Sequence, residues 1–158
     1  MSLRRWILLA ATHLAVGAAG FAGGIYTLPI LIAPPPASAA EVGAVAGAAL
    51  FKGRFKRDLP GSDALHWGEG EVSVSDKAVS LLGRVSPGPD YKLYLVPEFV
   101  QTEAEFERVK ARSLRVGDVK TFENFVVPLP AGVDPAAYTT VVVWCERFRE
   151  FISAARYR

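Results

Sequence analysis

The chain has 158 residues, with 18 Lys and Arg against 16 Asp and Glu, one Cys and two His. This length accommodates one compact domain with a small appendage, and it excludes a barrel of eight βα units or a dinucleotide fold with a second domain. The single Cys excludes an internal disulfide, a four-Cys zinc site and the C-x-x-C-H attachment of a c-type haem.

The N-terminal segment, residues 1–33, is predicted to be a transmembrane anchor. No Asp, Glu, Lys or Arg occurs from Trp6 to Leu28, and a helix of this length, at about 1.5 Å per residue, crosses the hydrocarbon core of a bilayer. Arg4 and Arg5 precede the segment, and the next Lys or Arg is Lys52. The positive-inside rule therefore predicts a single-pass protein of the inner or plasma membrane, with its C-terminal part extracytoplasmic and, in a bacterium, periplasmic.

A cleaved signal peptide is the alternative interpretation of this segment. Ala37-Ser38-Ala39 has the small-x-small form of a cleavage site. The apolar core of a signal peptide is usually about 7–15 residues long, which favours a retained signal anchor. Residues 34–47 are rich in Pro, Ala and Gly, and this composition predicts an extended or flexible linker.

Residues 48–158 are predicted to form one β domain, because short alternating or β-branched runs are separated by turns rich in Pro and Gly. Thr102 and Glu105 have capping-box spacing, which predicts one surface helix of about three turns over Thr102–Arg112. The fold class expected is an all-β antiparallel sandwich, or a partly closed barrel, of about eight strands. The predicted strands are Leu50–Phe55, Glu71–Ser75, Val79–Val85, Tyr91–Val96, Ser113–Val116, Phe125–Leu129, Tyr138–Phe148 and Phe151–Tyr157.

The charge pattern argues against nucleic-acid and nucleotide partners. All sixteen acidic residues lie at or beyond Glu41, together with sixteen of the Lys and Arg residues. The external part is therefore formally neutral and has no one-sided basic field to attract phosphate backbones. The glycines at Gly43, Gly47 and Gly53 are not followed by Gly-Lys-Ser or Gly-Lys-Thr, so no phosphate loop is predicted.

Cys145 lies in the strongest strand pattern of the chain, which predicts a central strand that is buried on both faces. Period two places Cys145 with Val143 on one face and Trp144 on the other. Two interpretations remain open. A free Cys commonly packs as a small hydrophobic residue, whereas an unpaired thiol in an exported chain is either shielded or used. Arg147, two positions further on, is predicted on the same face, where it would either stabilise a thiolate or reach water.

His66 is the only histidine outside the apolar N-terminal segment. Asp63 precedes it by three residues, a spacing at which a carboxylate can orient the imidazole. A histidine that bonds to backbone and stabilises its loop fits the sequence equally well. No G-x-S-x-G elbow is present, so a hydrolase is not predicted. His66 and Cys145 supply only two ligands, so no metal site is predicted.

Several motifs follow one another in a fixed order along the chain. They are His66-x-x-x-Gly70, Gly88-Pro89-Asp90 leading into Tyr94-Leu95, Leu129-Pro130, Tyr138, Val142-Val143-Trp144-Cys145 and Phe148. This ordered set resembles the DM-thirteen domain, also called the electron-transfer DM domain, over about residues 50–158. The resemblance implies a β-sandwich-like extracytoplasmic domain, often tethered at a membrane or joined to redox-associated domains. It implies that Cys145 is redox-active or holds a cofactor, and that the family's histidine corresponds to His66.

Two functions follow from this reading. The first is a membrane-anchored extracytoplasmic redox or electron-transfer module that uses Cys145 on its central strand. Its partner would be a redox protein. Cys145 would exchange electrons, form a mixed disulfide, or serve as a thiolate ligand to haem iron, with His66 as the other candidate cofactor-binding residue. The second is a non-enzymatic binding or assembly module in which Cys145 is a buried core residue. Neither reading predicts a stand-alone enzyme.

Overall fold

The computed structural model describes residues 2–158, and a long N-terminal helix, α1, spans Leu3–Ile32. None of its residues is buried within the described chain. Within residues 2–158, α1 is the one helix that is long and apolar enough to cross a membrane. A signal sequence at this position would satisfy the same criteria of length and composition.

A second helix, α2 (Ala39–Gly47), occupies most of the segment that was expected to be an extended or flexible linker. The Ser38 hydroxyl accepts a hydrogen bond from the Glu41 N–H (3.2 Å), and the Glu41 carboxylate accepts one from the Ser38 N–H (2.8 Å). This reciprocal capping box starts the helix. Val42 is buried against the β domain. The tertiary contact therefore explains why an Ala-rich and Gly-rich sequence forms a helix here.

The β domain is a sandwich of two four-stranded sheets, with strand orders β1-β2-β3-β6 and β5-β4-β7-β8. Every paired strand is antiparallel to its neighbour. Neither sheet closes into a barrel, so the predicted eight-stranded sandwich is confirmed and the barrel alternative is wrong. The strands are β1 Phe51–Phe55, β2 Gly68–Val74, β3 Ala78–Val85, β4 Tyr91–Val96, β5 Leu114–Val119, β6 Phe125–Pro128, β7 Thr140–Cys145 and β8 Glu150–Arg156.

The predicted surface helix is present but shorter than expected. Helix α3 spans Glu103–Val109 and continues as a single 3₁₀ turn over Lys110–Arg112. The Thr102 hydroxyl accepts a hydrogen bond from the Glu105 N–H (3.3 Å) and caps the first turn. Phe106 is buried on the sheet, with its ring centroid 4.9 Å from that of Trp144. The helix therefore covers the outer face of the second sheet.

Strand β7 lies between β4 and β8 and is buried on both faces, as its sequence predicted. Val143 and Cys145 face the core between the two sheets. Val142 and Trp144 face the smaller cluster beneath α3. The predicted assignment of the two faces is confirmed, because the alternation of side chains along a strand is a local property of the backbone.

Three connections meet at one end of the sandwich, which we call the site end: residues 56–67, 86–90 and 146–149. The β1–β2 connection reaches it because Phe55 pairs with Gly70 at the start of β2. The other two reach it because Tyr91, the first residue of β4, pairs with Cys145, the last residue of β7. The fold thus brings Cys145 to the edge of the core, beside loops that are distant in the sequence.

Candidate functional site

A cavity of about 210 Å³ lies at the site end, and Cys145 and His66 both line it. Tyr91 of β4, Leu65 and Phe148 are among the other residues of the β domain that line it. Helix α1 closes one side through Ile25 and Tyr26. The two residues that the sequence singled out therefore share one largely apolar cavity.

The Cys145 thiol has competing influences on its ionisation. The residue is 2% exposed, and burial raises the pKa of the thiol above its usual value. Interactions with the backbone of Phe148, Arg147 and Asp90 lower the pKa, but burial is the largest influence. The thiol is therefore protonated at neutral pH.

Arg147 does not lie where the strand pattern predicted it. Strand β7 ends at Cys145, and Arg147 occupies the turn to β8, where its side chain is exposed. The tight turn, in which Arg149 adopts a positive φ of 56°, breaks the period-two alternation. The guanidinium therefore does not lie on the sheet face beside the thiol, and it reaches solvent, which is the alternative that the sequence left open.

His66 is held by the carboxylate that the sequence suggested. Asp63 Oδ2 lies 3.0 Å from His66 Nδ1. Asp63 Oδ1 accepts hydrogen bonds from the backbone N–H groups of Leu65 (2.7 Å) and His66 (2.8 Å). The hydrogen bond with His66 is the main cause that lowers the pKa of Asp63. When the Nδ1–H group of the neutral ring donates a hydrogen bond to Asp63, Nε2 carries no proton and can accept one.

The Gly88-Pro89-Asp90 motif shapes the wall of the cavity next to Tyr91. A Cβ added at Gly88 would lie 2.4 Å from the Tyr91 ring, so only glycine fits beneath that ring. Asp90 Oδ1 forms an ion pair with Lys92 Nζ at 2.6 Å. The sequence analysis used this segment as a motif of the family resemblance and did not single out Tyr91, although Tyr91 directly follows it.

Residues 55–157 match the sequence family described as Electron transfer DM13. The chain belongs to this family. The match covers most of the chain and confirms the resemblance seen in the sequence, and it supports a role related to redox chemistry or electron transfer. No curated protein and no solved structure matches the chain. The matched range includes β2 to β8 and both Cys145 and His66, but it excludes α1 and α2.

The cavity of this DM13 domain does not fit haem. Its volume of about 210 Å³ lies below the roughly 300–1,000 Å³ of typical small-molecule sites. The raised pKa of Cys145 also disfavours the thiolate that a haem iron would require. Within residues 2–158, no group of three or more His, Cys, Asp or Glu side chains is arranged to hold a metal ion. The haem expected at Cys145 and His66 is therefore not supported by the shape of the site.

A polar cluster on the other face of β7 was missed by sequence reasoning. Glu146 Oε2 lies 2.5 Å from Lys110 Nζ, and Glu146 Oε1 accepts a hydrogen bond from the Tyr94 hydroxyl. Burial raises the pKa of Glu146, but the hydrogen bonds from Lys110 and Tyr94 outweigh it and leave the pKa below its usual value. Lys110 Nζ also lies 5.2 Å from the Trp144 ring centroid. The cluster joins the α3 segment to the turn that follows Cys145.

Proposed function

We propose that this DM13 protein is a membrane-anchored extracytoplasmic redox module in which Cys145 reacts and His66 accepts its proton. The observation that carries this proposal is that the two side chains, which come from distant segments, line the same cavity. The family described as Electron transfer DM13 supports a redox role for the domain as a whole.

In this proposal, α1 is a retained anchor with Arg4 and Arg5 on the cytoplasmic side. The 30-residue length of the helix supports this, as does the absence of Lys and Arg between Arg5 and Lys52. The β domain would then lie outside the inner or plasma membrane. Intact mass of the membrane-extracted protein tests retention, because cleavage after Ala39 would remove α1.

The proposed reaction is thiol–disulfide exchange with a redox protein partner that carries a disulfide. The Cys145 thiol transfers its proton to Nε2 of His66, and the Asp63 carboxylate at Nδ1 stabilises the resulting imidazolium. The sulfur attacks one sulfur of the partner's disulfide, and the S–S bond of the partner breaks as the mixed disulfide forms. The departing thiolate takes the proton from His66, so that charge and electrons balance.

The site residues give this reaction a defined route. The backbone around Phe148, Arg147 and Asp90 favours the thiolate and partly offsets the effect of burial on the pKa of Cys145. The cavity, rather than the outer surface, is the path to the sulfur, because Cys145 is only 2% exposed. Opening of the 146–149 turn would widen this path.

Alkylation of the folded full chain tests the proposal, with intact mass as the readout. We expect Cys145 to react in the folded protein, about tenfold or more slowly than after unfolding because its pKa is raised. His66→Gln should slow the reaction further, whereas substitution of His13, which lies in α1, should not change it. A thiol that stays unmodified until the protein unfolds would contradict the redox role.

The burial of Cys145 favours a second candidate function, a non-enzymatic binding or assembly module. Cys145 belongs to the core between the sheets, and its raised pKa keeps it neutral. Partner contacts would then involve the loops around His66–Gly70 and Pro87–Asp90. Cys145→Ala separates the two candidates, because it should abolish redox exchange under the first and leave partner binding intact under the second.

A further inference from the structure

The aromatic residues of α1 define how deeply the helix would sit in a bilayer. Trp6 and Tyr26 are separated by twenty residues, which corresponds to about 30 Å along a helix and matches the hydrocarbon thickness. Trp and Tyr are enriched at the two membrane–water interfaces. Arg4 and Arg5 lie just beyond Trp6, on the cytoplasmic side. The outer interface therefore falls at the level of Tyr26.

The β domain meets α1 at this same level. Ala22, Ile25 and Tyr26 line the cavity that contains Cys145, together with Leu65 and Phe148. These side chains of α1 and of the β domain therefore face a single cavity of about 210 Å³. The apolar sequence of α1 continues to Ile32, so a helix placed deeper in the bilayer would bring the domain still closer to the lipid.

The site end also carries exposed apolar side chains. Leu65 is 57% exposed in the 56–67 loop, and Phe148 is 49% exposed in the turn after β7. Outside α1, four large hydrophobic side chains are exposed among the described residues: Leu65, Phe148, Leu50 and Leu82. Half of the exposed large hydrophobic side chains of the domain thus lie beside the interfacial part of α1.

Two cations without ion pairs lie at this apolar end, and the carboxylate residue Glu150 lines the cavity that contains Cys145. Arg147 precedes Phe148 and is exposed. Lys120 lines a neighbouring cavity with Leu28 and Pro29 of α1, just beyond Tyr26. Neither cation forms an ion pair within residues 2–158. Such side chains suit the level of the phosphate headgroups, where cations and aromatic rings are favoured.

We infer that the site end rests on the outer surface of an anionic phospholipid bilayer, with Leu65 and Phe148 inserted among the headgroups. This inference rests on the part of the proposed function in which α1 is a retained anchor. It fixes the orientation of the domain on the membrane, and the cavity that contains Cys145 then opens at interfacial depth. A partner reaches the thiol along the membrane surface and not from the far end of the sandwich.

Fluorophores attached to single cysteines test this orientation in the full chain. Cys145→Ala supplies a background without a thiol, into which Leu65→Cys, Phe148→Cys or Asp76→Cys is introduced. Asp76 is exposed in the turn between β2 and β3, at the opposite end of the sandwich, about 20 Å away along a seven-residue strand. Leu82→Cys provides a second control, since Leu82 is an exposed leucine away from the cavity.

Each labelled chain is reconstituted into vesicles of phosphatidylcholine and phosphatidylglycerol. We expect lipids with a nitroxide near the headgroup to quench labels at positions 65 and 148 several-fold more than labels at positions 76 and 82. Aqueous iodide should show the reverse order. Arg147→Glu should reduce the nitroxide quenching at position 148, because it replaces attraction to the headgroups with repulsion. A label at either position 65 or 148 that behaves like the label at Asp76 overturns the inference.

The quenching experiment tests the membrane orientation independently of the proposed redox function. Intact mass of each labelled chain shows whether α1 is retained, independently of any quenching. The background lacks Cys145, so the redox activity of the thiol does not affect the fluorescence. Failure of the thiol to react therefore leaves the membrane orientation testable, and failure of the orientation leaves the reactivity of Cys145 testable.

Discussion

Tyr91 and Cys145 lie directly opposite each other at the end of the β4–β7 ladder, and both line the cavity of the site end. The Tyr91 ring packs against Gly88, where an added Cβ would lie 2.4 Å from the ring. Burial raises the pKa of the Tyr91 hydroxyl, which keeps the group neutral beside the thiol. The position of Tyr91 therefore depends on a glycine three residues earlier.

Gly88→Ala is expected to destabilise the full chain by about 1–3 kcal/mol, because the buried Tyr91 ring would have to move. Urea unfolding in a mild detergent measures this change. Gly43→Ala is the matched control. Nothing lies within 4 Å of a Cβ added at Gly43 in α2, and alanine favours a helix, so the variant should be neutral or more stable. Equal stability of Gly88→Ala and the natural protein would contradict the predicted clash.

The raised pKa of Cys145 predicts that the protein loses stability in alkaline solution. The unfolded thiol ionises near pH 8.5, whereas burial raises the pKa of the folded thiol above that value. The stabilisation is complete below the unfolded pKa and is lost as the pH rises through the folded pKa. The unfolding free energy should therefore fall more steeply above about pH 8.5 in the natural protein than in Cys145→Ala. Parallel pH profiles for the two proteins would be inconsistent with a buried thiol.

The lowered pKa of Asp63 predicts the opposite pH dependence. Asp63→Ala removes the acceptor for the N–H groups of Leu65 and His66, and it should cost about 1 kcal/mol at neutral pH. Because the folded pKa lies below the unfolded value of about 3.9, this stabilisation is lost as the pH falls through the folded pKa. Urea unfolding at a series of pH values from 7 to 2.5 checks the prediction, which fails if the difference between the two proteins does not shrink as the pH falls.

The cluster around Glu146 is expected to stabilise the turn next to the thiol. Glu146→Ala leaves Lys110 Nζ and the Tyr94 hydroxyl without their partner, and it should cost about 1–3 kcal/mol. Arg112→Ala is the control, because it removes an ion pair with Glu98 in which both side chains are more than half exposed. Such a pair contributes about 0–1 kcal/mol. Similar urea midpoints for the two variants would argue against a structural role for the cluster.

Several features of the protein depended only on local sequence and were predicted from it. The Tyr91–Val96 strand has the predicted bounds, and the two faces of β7 follow from alternation along the chain. The interaction between Asp63 and His66 was foreseen because three residues separate them. The apolar composition of α1 predicted a long N-terminal helix. These patterns require no knowledge of distant residues.

Other features were decided by the tertiary structure, because they depend on contacts between segments that are far apart in the chain. Pairing of Tyr91 with Cys145 brought the thiol to the loop that holds His66, and no spacing rule joins these positions. Packing of Val42 stabilised α2 where composition predicted a flexible linker. The turn after β7 redirected Arg147 and placed Glu146 beside Lys110. Local patterns in the sequence thus set the strands, the long N-terminal helix and α3, whereas packing between distant segments decided α2 and brought α1 and the loops together around the cavity.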